Sequence, residues 1–209
     1  MTKVIYLGFS GKIGSGKTTT ANAVQEQLKK IYGESVYVKH MNFATRLKQL
    51  AAHIFRFPEN LCYSNKGYFV ESAGMTVGQI LQTLGKSFRQ AFGQNFWLEE
   101  LRRSAEDVVN CLSTQTKLCI FLIGDVRYPN EADFLQDKQG AVLRLIGDPA
   151  GVRAASRRDL THESETALDE YEKFDLKIMT DESDVESIAE QCILMLCTKY
   201  DLHNKLISE

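Results

Sequence analysis

A short glycine-rich segment, Gly11–Thr18, restricts the possible folds of this chain more than any other feature of its sequence. It reads GKIGSGKT and follows the apolar, β-branched run Val4–Phe9, which is typical of a buried strand. The residues after it, Lys17–Ile31, carry apolar side chains at helical spacing. A tight glycine-rich turn between a strand and a helix directs backbone N–H groups at an anion. The segment, called the glycine-rich loop below, therefore predicts a phosphate-binding site in an α/β protein.

The polar residues of the glycine-rich loop predict how a nucleoside triphosphate and its metal ion are held. Lys17 is placed to reach the β- and γ-phosphates of ATP, and the Thr18 hydroxyl is placed to hold Mg²⁺. We therefore expect ATP and Mg²⁺ as ligands, with Thr18 as the metal-binding residue. The residues expected to bind the nucleotide here are Gly11, Lys12, Ile13, Gly14, Ser15, Gly16, Lys17, Thr18 and Thr19.

Strand-like and helix-like segments alternate along the chain, which predicts a parallel sheet with helices on both faces. Lys117–Ile123 is the strongest candidate for a central strand, because it is almost entirely apolar. The five predicted strands are Val4–Phe9, Ser35–His40, Lys117–Ile123, Ala141–Ile146 and Asp175–Met179. The predicted helices are Lys17–Ile31, Phe43–Phe55, Thr76–Phe92 (opened by a capping box), Phe96–Leu112, Pro129–Gln139, Pro149–Arg158 and Asp184–Tyr200.

Three of these helices lie between the second and third predicted strands, which indicates an insertion into the sheet-forming core. The segment Pro58–Gly74 contains turn-forming residues and no periodicity, so we expect a loop there. The expected organisation is one domain. It has a core of residues 1–42 and 113–209, a helical insertion of about residues 43–112, and a lid of about residues 149–171.

Composition and charge exclude several other classes of protein. The 209 residues include 25 Lys and Arg and 27 Asp and Glu, a net charge of −2, which argues against a dedicated nucleic-acid-binding protein. The longest apolar run, about Leu118–Ile123, is far shorter than the ~20 residues that span a bilayer, and no signal peptide is recognisable. The five cysteines form no CxxC pair, so we expect small buried side chains in a reducing compartment. A cytoplasmic protein that binds neither nucleic acid nor membrane is expected.

A second polar segment, Gly124–Glu131, directly follows the predicted central strand. Ligands of open α/β sheets bind beyond the carboxyl ends of the strands, so we expect Asp125 and Arg127 to face the same crevice as the glycine-rich loop. Asp125 can hold a Mg²⁺-bound water or orient a polar group of an acceptor, and Arg127 offers a bidentate donor pair for a phosphate. The alternative is a local Asp–Arg pair that caps the next helix.

An arginine-rich segment follows the fourth predicted strand. Arg153 and Arg157 are four residues apart and share one face of a predicted helix. Arginines that close over a transferring phosphoryl group stabilise its charge and exclude water, whereas the alternative is a solvated basic helix face. In the next segment, His162–Thr166, we expect a cap at Ser164. His162 either contacts a phosphate or, as is commoner for a lone histidine, lies at the surface.

The predicted insertion contributes candidate side chains of its own. Trp97 lies beside Phe96 and belongs either to the core or to a wall on which a base stacks, and the spacing favours the core. The apolar stripe of the preceding helix is also expected in the core: Ile80, Leu81, Leu84, Phe88 and Phe92. The polar candidates of the insertion are Lys48, Gln82, Lys86 and Arg89.

The order of these motifs resembles a known family. After the glycine-rich loop come Phe43-Ala44-x-x-Leu47-Lys48, Leu81-Gln82-x-Leu84-Gly85 with Trp97, Asp125-x-Arg127-x-x-Asn130-Glu131, and Thr161–Glu165. Over about residues 4–180 the chain resembles the deoxynucleoside monophosphate kinases of large phages, giant viruses and bacteria. The resemblance implies a P-loop NTPase fold with a helical insertion and a lid. It also implies Mg²⁺-dependent transfer of the γ-phosphoryl group of ATP to a (deoxy)nucleoside monophosphate, and often a homodimer.

The same resemblance implies roles for individual residues. The catalytic set would be Lys17, Asp125, Arg127, Arg153 and Arg157. Arg158 would complete the lid and contact the nucleotide. The acceptor site would be lined by Phe43, Lys48, Gln82, Gly85, Lys86, Arg89, Trp97, Asp125 and Arg127.

Two alternative functions remain open at the level of sequence. One is a kinase of the same superfamily for another phosphorylated small molecule, such as dephospho-coenzyme A or phosphomevalonate. The other is a nucleotide-binding switch with little turnover. A guanine-specific switch is not expected, because the Asn-Lys pairs at Asn65 and Asn204 lack the Asp of an N-K-x-D element.

Overall fold

Five parallel strands form the main sheet of the computed structural model, which describes residues 2–151 and 163–202. The five strands are β1 (Lys3–Ser10), β2 (Val36–Met41), β5 (Leu118–Val126), β6 (Ala141–Ile146) and β7 (Leu176–Met179), and two short strands, β3 (Phe69–Val70) and β4 (Met75–Thr76), form a separate antiparallel pair. The strands of the main sheet lie in the order β2-β5-β1-β6-β7. The predicted α/β class is confirmed, and β5 is an interior strand, although β1 occupies the middle position.

The helices are α1 (Lys17–Tyr32), α2 (Thr45–Phe55), α3 (Leu61–Ser64), α4 (Val77–Phe92), α5 (Phe96–Asn110), α6 (Pro129–Asp137), α7 (Glu163–Thr166) and α8 (Val185–Tyr200). Six of them, α1, α2, α4, α5, α6 and α8, follow predicted segments with small differences at their ends, whereas the short helices α3 and α7 were not predicted. Pro149 and Ala150 form a turn, so the helix predicted to begin there does not begin at Pro149. Within residues 2–151 and 163–202, no helix is both long and apolar enough to cross a membrane.

Different helices cover the two faces of the main sheet. On one face, the buried side chains of Ile5, Leu7 and Phe9 share a core cluster with residues of α1 and α8. On the other face, α6 contacts β1 and β6. A Cβ atom at Gly8 would lie 2.6 Å from Leu135 Cδ1, so a glycine in β1 is what allows α6 to approach this closely. Because both faces of the sheet are covered, Val4–Phe9 in β1 and Leu118–Ile123 in β5 form continuous apolar runs.

The structure corrects the expectation that all five cysteines are buried. Four of them are buried, but Cys111 is exposed and forms no disulfide. It lies in the turn that follows α5, outside the periodic segment on which burial depends. The sequence pattern places Cys192 and Cys197 correctly, because α8 buries them with the core cluster of the main sheet.

The chain divides into two compact units. The first contains the residues up to Met41 and those from Ala105 on, and the second is Asn42–Ser104. The second unit has a core cluster of its own, formed by Ala51, Phe57, Cys62, Val70, Val77, Ile80 and Leu81.

Capping starts α4 as the sequence predicts. The Thr76 hydroxyl accepts a hydrogen bond from Gln79 N at 3.3 Å, and Gln79 Oε1 accepts one from Thr76 N at 2.8 Å. The helix buries Ile80 and Leu81, but Phe92 in its last turn is 65% exposed, so its predicted place in the core is wrong. Its ring instead packs beside the rings of Phe88 and Phe96, at 5.5 and 5.4 Å between centroids.

The predicted loop Pro58–Gly74 has more structure than its sequence indicates. It contains α3, the short strand β3 and a 3₁₀ turn at Glu71–Ala73. β3 pairs with β4 through only two residues on each strand, Phe69 with Thr76 and Val70 with Met75. Elements this short have no recognisable periodicity, so sequence reasoning predicts a loop.

Candidate active site

The glycine-rich loop joins the end of β1 to the start of α1, as the sequence predicts. Gly14 and Gly16 have φ angles of 82° and 81°, in the region that side chains rarely adopt. A Cβ atom on Gly11 would lie 2.3 Å from Ser15 Oγ and 2.6 Å from the Leu145 carbonyl oxygen. The tight path of the loop therefore requires glycine, and no Cβ atom at these positions screens the backbone N–H groups.

The start of α1 concentrates positive charge at the glycine-rich loop. The helix is 16 residues long, its cap residue Gly16 makes no side-chain cap hydrogen bond, and its first turn contains no acidic residue. Lys17 Nζ donates to the carbonyl oxygens of Gly11 and Lys12 at 2.6 and 2.8 Å, so the ammonium lies against the loop backbone. An uncapped helix N-terminus with a lysine beside it is the arrangement that binds phosphate groups.

Strand pairing places Arg127 next to this loop. Ser10 is the last residue of β1 and pairs with Val126, the last residue of β5. The chain therefore leaves the sheet at Gly11 and at Arg127 on two neighbouring parallel strands, at the same edge. Ligands of such sheets bind at this edge, which makes Arg127 a candidate for binding a second anion beside the loop.

A β-bulge in β5 precedes Arg127. Gly8 pairs with Ile123, but Ser10 pairs with Val126, so the register between β1 and β5 shifts by one residue. The extra residue falls within Gly124–Asp125. Bulges turn side chains to new directions at the ends of strands and occur often near active sites. The sequence predicts Asp125 at this edge, but strict alternation along β5 would not predict the bulge.

The buried carboxyl group of Glu131 holds the backbone of this segment in place. Glu131 is in the first turn of α6 and is 9% exposed. Its Oε2 accepts hydrogen bonds from the backbone N–H groups of Arg127, at 2.7 Å, and Tyr128, at 3.1 Å. Burial and the negative charge of Asp125 raise the pKa of Glu131 to about 8, although these two hydrogen bonds act in the opposite direction. The cap of α6 thus comes from Glu131, not from an Asp125–Arg127 pair.

Replacing Glu131 with glutamine is expected to remove a pH dependence of stability. Between the ordinary pKa of a glutamic acid and about 8, the folded protein binds a proton that the unfolded chain releases, so the free energy of unfolding falls as pH rises. The glutamine side chain of the E131Q variant keeps an acceptor oxygen and does not titrate. From about pH 5 to about pH 8, we expect the free energy of unfolding of the wild type to fall by on the order of 2 kcal/mol more than that of E131Q. Urea unfolding at several pH values measures this difference, and parallel curves would contradict it.

Arg127 is paired with Glu165 of α7. Arg127 Nη1 donates to Glu165 Oε1 at 2.5 Å and to the Ser164 carbonyl oxygen at 3.1 Å. The second carboxylate oxygen, Glu165 Oε2, accepts a hydrogen bond from Ile13 N of the glycine-rich loop at 3.1 Å. One carboxylate therefore joins Arg127 to the loop.

Two further ionic contacts, both to Asp169, link the glycine-rich loop to β6. Asp169 accepts from Lys12 Nζ and from Arg144 Nη2, both at 2.8 Å. Arg144 Nη1 also donates to the buried Ser10 hydroxyl at 3.0 Å. Arg144 pairs with Ser10 across β6 and β1, so a strand position fixes the guanidinium at the base of the loop.

Sequence reasoning missed Arg144 and Asp169 and gave no binding role to Glu165. One signal for Arg144 is present in the sequence, because it is the single charged residue of the otherwise apolar strand Ala141–Ile146. Glu165 and Asp169 are four residues apart, a spacing that places two side chains on one side of a helical turn. No pattern in the sequence identifies their partners, which are more than a hundred residues away for Glu165–Ile13 and Asp169–Lys12.

The predicted acceptor residues of the second unit occupy varied environments. Trp97 is 6% exposed and its Nε1 lies 3.4 Å from the Gly85 carbonyl oxygen, to which it donates. Phe43 is also buried, and Lys48 Nζ lies 4.0 Å from the centre of the Tyr63 ring. The remaining predicted residues are exposed (Gln82 and Lys86) or half-buried (Arg89).

The packing of Trp97 favours its interpretation as a core residue. Its ring contacts those of Phe88 and Phe96, with centroids 5.3 and 4.9 Å away. The predicted lid arginines Arg153, Arg157 and Arg158 lie outside the described residues, as does His162.

Thr18 is the structure's candidate metal ligand. It lies at the start of α1 and is exposed, and its hydroxyl is a hard oxygen ligand of the kind that Mg²⁺ accepts. In the described part of the chain, no group of three or more His, Cys, Asp and Glu side chains could hold a metal ion. A Mg²⁺ ion here would therefore take its other ligands from phosphates and water, as is common for this ion.

Comparison of sequences relates the chain to a viral protein. A protein of Acanthamoeba polyphaga mimivirus is 24% identical over 202 residues, which cover 91% of this chain and 95% of that protein. It is provisionally named a deoxynucleotide monophosphate kinase. No protein-family model matches the chain.

Comparison of structures relates the fold to that of known kinases. The APS kinase of Mycobacterium tuberculosis, solved in complex with AMPPNP and APS, matches with a TM-score of 0.51 and 14% identity, over 94% of this chain and 99% of that one. The chain therefore has the fold of the P-loop kinases. A shikimate kinase of Bacteroides thetaiotaomicron matches with a TM-score of 0.45 and 16% identity, over 92% of this chain and 98% of that one.

Proposed function

We propose that this protein transfers the γ-phosphoryl group of ATP to a nucleoside or deoxynucleoside monophosphate, giving ADP and the diphosphate. One observation carries the proposal: Arg127 leaves the sheet next to Gly11, so groups that can bind two phosphates share one sheet edge. The provisional name of the mimivirus relative supports the choice of acceptor. The fold shared with APS kinase supports phosphoryl transfer more generally.

In this mechanism the protein offsets the repulsion between two polyanions and aligns them. Lys17 and the N–H groups of the glycine-rich loop would bind the triphosphate, and Arg127 would bind the acceptor phosphate. An oxygen of that phosphate attacks the γ-phosphorus, the bond to the β–γ bridging oxygen breaks, and ADP leaves with the electron pair. Because the acceptor phosphate is already nucleophilic, no strong general base is required.

The resident metal ion in this proposal is Mg²⁺. The Thr18 hydroxyl would hold it, and Asp125 would accept a hydrogen bond from one of its water ligands. When bound, Mg²⁺ offsets negative charge on the phosphates. Lys17 supplies a fixed positive charge in the same loop, where it already contacts the backbone.

The sequence resemblance adds further parts to the proposal. Arg153, Arg157 and Arg158 would close over the nucleotide as part of a lid of about residues 149–171. A helical insertion of about residues 43–112 would supply the rest of the acceptor site. The resemblance also supports a homodimer. The residues of the insertion that the resemblance assigns to the acceptor site are Phe43, Lys48, Gln82, Gly85, Lys86, Arg89 and Trp97.

A panel of acceptors tests the proposed function. We expect ATP and Mg²⁺ to give ADP at a rate that depends on an added nucleoside monophosphate, for at least one of dAMP, dCMP, dGMP, dTMP and their ribose counterparts. Chelation of Mg²⁺ with EDTA should abolish this rate, because phosphoryl transfer needs the added positive charge. Turnover only with dephospho-coenzyme A or phosphomevalonate would show a kinase of a different substrate class. Tight ATP binding without acceptor-dependent turnover would show a switch.

A further inference from the structure

Arg127 is held through a single nitrogen atom. Both described contacts of its guanidinium, to Ser164 O and to Glu165 Oε1, use Nη1. A guanidinium has five N–H groups, so Nη2 and Nε remain as donors on the opposite edge. The Arg127 side chain is 30% exposed, whereas that of Glu165 is 8% exposed. The pair thus has a buried carboxylate on one side and an accessible donor edge on the other.

The carboxylate of Glu165 is itself fixed from two directions. Its Oε2 accepts from Ile13 N, and its Oε1 accepts from Arg127, so neither oxygen can turn away without loss of a hydrogen bond. Burial would raise the pKa of Glu165, but the hydrogen bond and charge of Arg127, the Ile13 amide and the charge of Lys17 hold it below the ordinary value. The group therefore stays ionised near neutral pH.

We propose that Glu165 is a positioning residue for phosphoryl transfer: it fixes Arg127 beside the glycine-rich loop, so that the free edge of the guanidinium binds the acceptor phosphate. This inference rests on the proposed function. The bridge from Ile13 to Arg127 sets the distance between the loop that holds ATP and the group that holds the acceptor. A fixed guanidinium also loses less conformational entropy when it binds a phosphate.

A purely structural role would be the attachment of α7 to the rest of the first unit. In that case, loss of the carboxylate would lower stability but would affect both substrates alike. A positioning role instead affects the acceptor selectively, and it acts only through Arg127. The test must therefore separate the KM values of the two substrates and include a variant of Arg127.

The chain offers a matched control in the same short helix. Glu163 is exposed at the start of α7, so Glu163→Gln removes the same charge as Glu165→Gln at a distance of two residues. Glu165→Asp is the second variant, because it keeps the charge on a side chain that is one methylene shorter, which we expect to weaken the hydrogen bonds from Ile13 N and Arg127 Nη1. Thermal unfolding of each variant shows whether the fold is retained.

Steady-state kinetics with the best acceptor of the panel provides the test. We expect E165Q to raise the KM for the nucleoside monophosphate about tenfold, with the KM for ATP changed by less than about twofold. E165D should resemble E165Q, and E163Q should resemble the wild type. In an R127A background, E165Q should cause no further loss, because its effect acts through the guanidinium.

Different results separate the two hypotheses. Wild-type activity with an unchanged acceptor KM in E165Q would overturn the positioning role and leave the proposed function intact. An equal increase of both KM values, or an undiminished effect of E165Q in the R127A background, would do the same. A wild-type protein that phosphorylates no nucleoside monophosphate would overturn the proposed function and this inference with it.

Discussion

Replacing Lys17 with alanine is expected to lower kcat for phosphoryl transfer by about 10³-fold while the protein stays folded. The Lys17 ammonium contacts the backbone of the glycine-rich loop, at 2.6 Å from the Gly11 carbonyl oxygen. In the proposed reaction, the Lys17 ammonium stabilises the negative charge that develops on the transferring group, so loss of Lys17 affects the transition state more than ground-state binding. Acceptor-dependent ADP formation at saturating ATP measures the effect.

Stability is the control for Lys17→Ala. The substitution removes two hydrogen bonds to carbonyl oxygens of the loop, which typically contribute about 1 kcal/mol each. The core cluster of the main sheet does not include Lys17, so the variant should unfold cooperatively, with a modestly lower Tm. A folded K17A protein that keeps full activity would contradict the assignment of Lys17.

Replacing Arg127 with alanine is expected to lower kcat/KM for the nucleoside monophosphate by about 100-fold, with little change in ATP affinity. The guanidinium stands at the sheet edge next to the loop and keeps donors on its accessible edge. Its loss also leaves the negative charge of Glu165 without the guanidinium that pairs with it, which disfavours binding of an anionic acceptor nearby. Kinetics for each substrate, with calorimetric titration of ATP, separate the two affinities.

Two further variants sharpen the experiment on Arg127. Arg127→Lys keeps the charge but not the paired donors of the guanidinium, so it should recover only part of the activity. Arg103→Ala is the matched control, because Arg103 is exposed on α5 and pairs only with Glu100 among the described residues. Equal losses of acceptor and ATP affinity in R127A would argue against an acceptor role.

The parts of the fold that could be predicted from the sequence are those with local signals. Consecutive residues predict the path from β1 through the glycine-rich loop to α1: an apolar run predicts the strand, the glycines predict the loop and the helical periodicity predicts the helix. The capping box at Thr76 and the proline at the start of α6 likewise depend on neighbours within one helical turn. Such local patterns can be recognised in the sequence without knowledge of the tertiary structure.

The parts that could not be predicted depend on contacts between distant segments. The bulge at Gly124–Asp125 is defined by the pairing of β5 with β1, so no residue pattern within β5 predicts it. Glu165 and Ile13 are 152 positions apart, and α7 is too short to show a periodicity. Phe92 follows the apolar period of α4, yet lies in its last turn, where the core does not extend. For Phe92, the helical period predicts the face of the helix on which the side chain lies, but not whether another element covers that face.

The charged residues around the glycine-rich loop say more about anion binding than the net charge of the chain does. A balance of −2 predicts nothing about a small anion. The structure nonetheless places Lys12, Lys17, Arg127 and Arg144 around one loop, with Glu165 and Asp169 pairing three of these four. Acidic partners of this kind fix the positions of basic side chains, which suits a site that must align two phosphates.

The most direct test of phosphoryl transfer follows the phosphoryl group itself. ATP labelled in its γ-phosphoryl group is incubated with the protein, Mg²⁺ and a deoxynucleoside monophosphate, and the products are separated by chromatography. We expect the label to appear in the deoxynucleoside diphosphate, with one such molecule formed for each ADP. Label that appears only in inorganic phosphate, or that stays in ATP with every monophosphate, would contradict it.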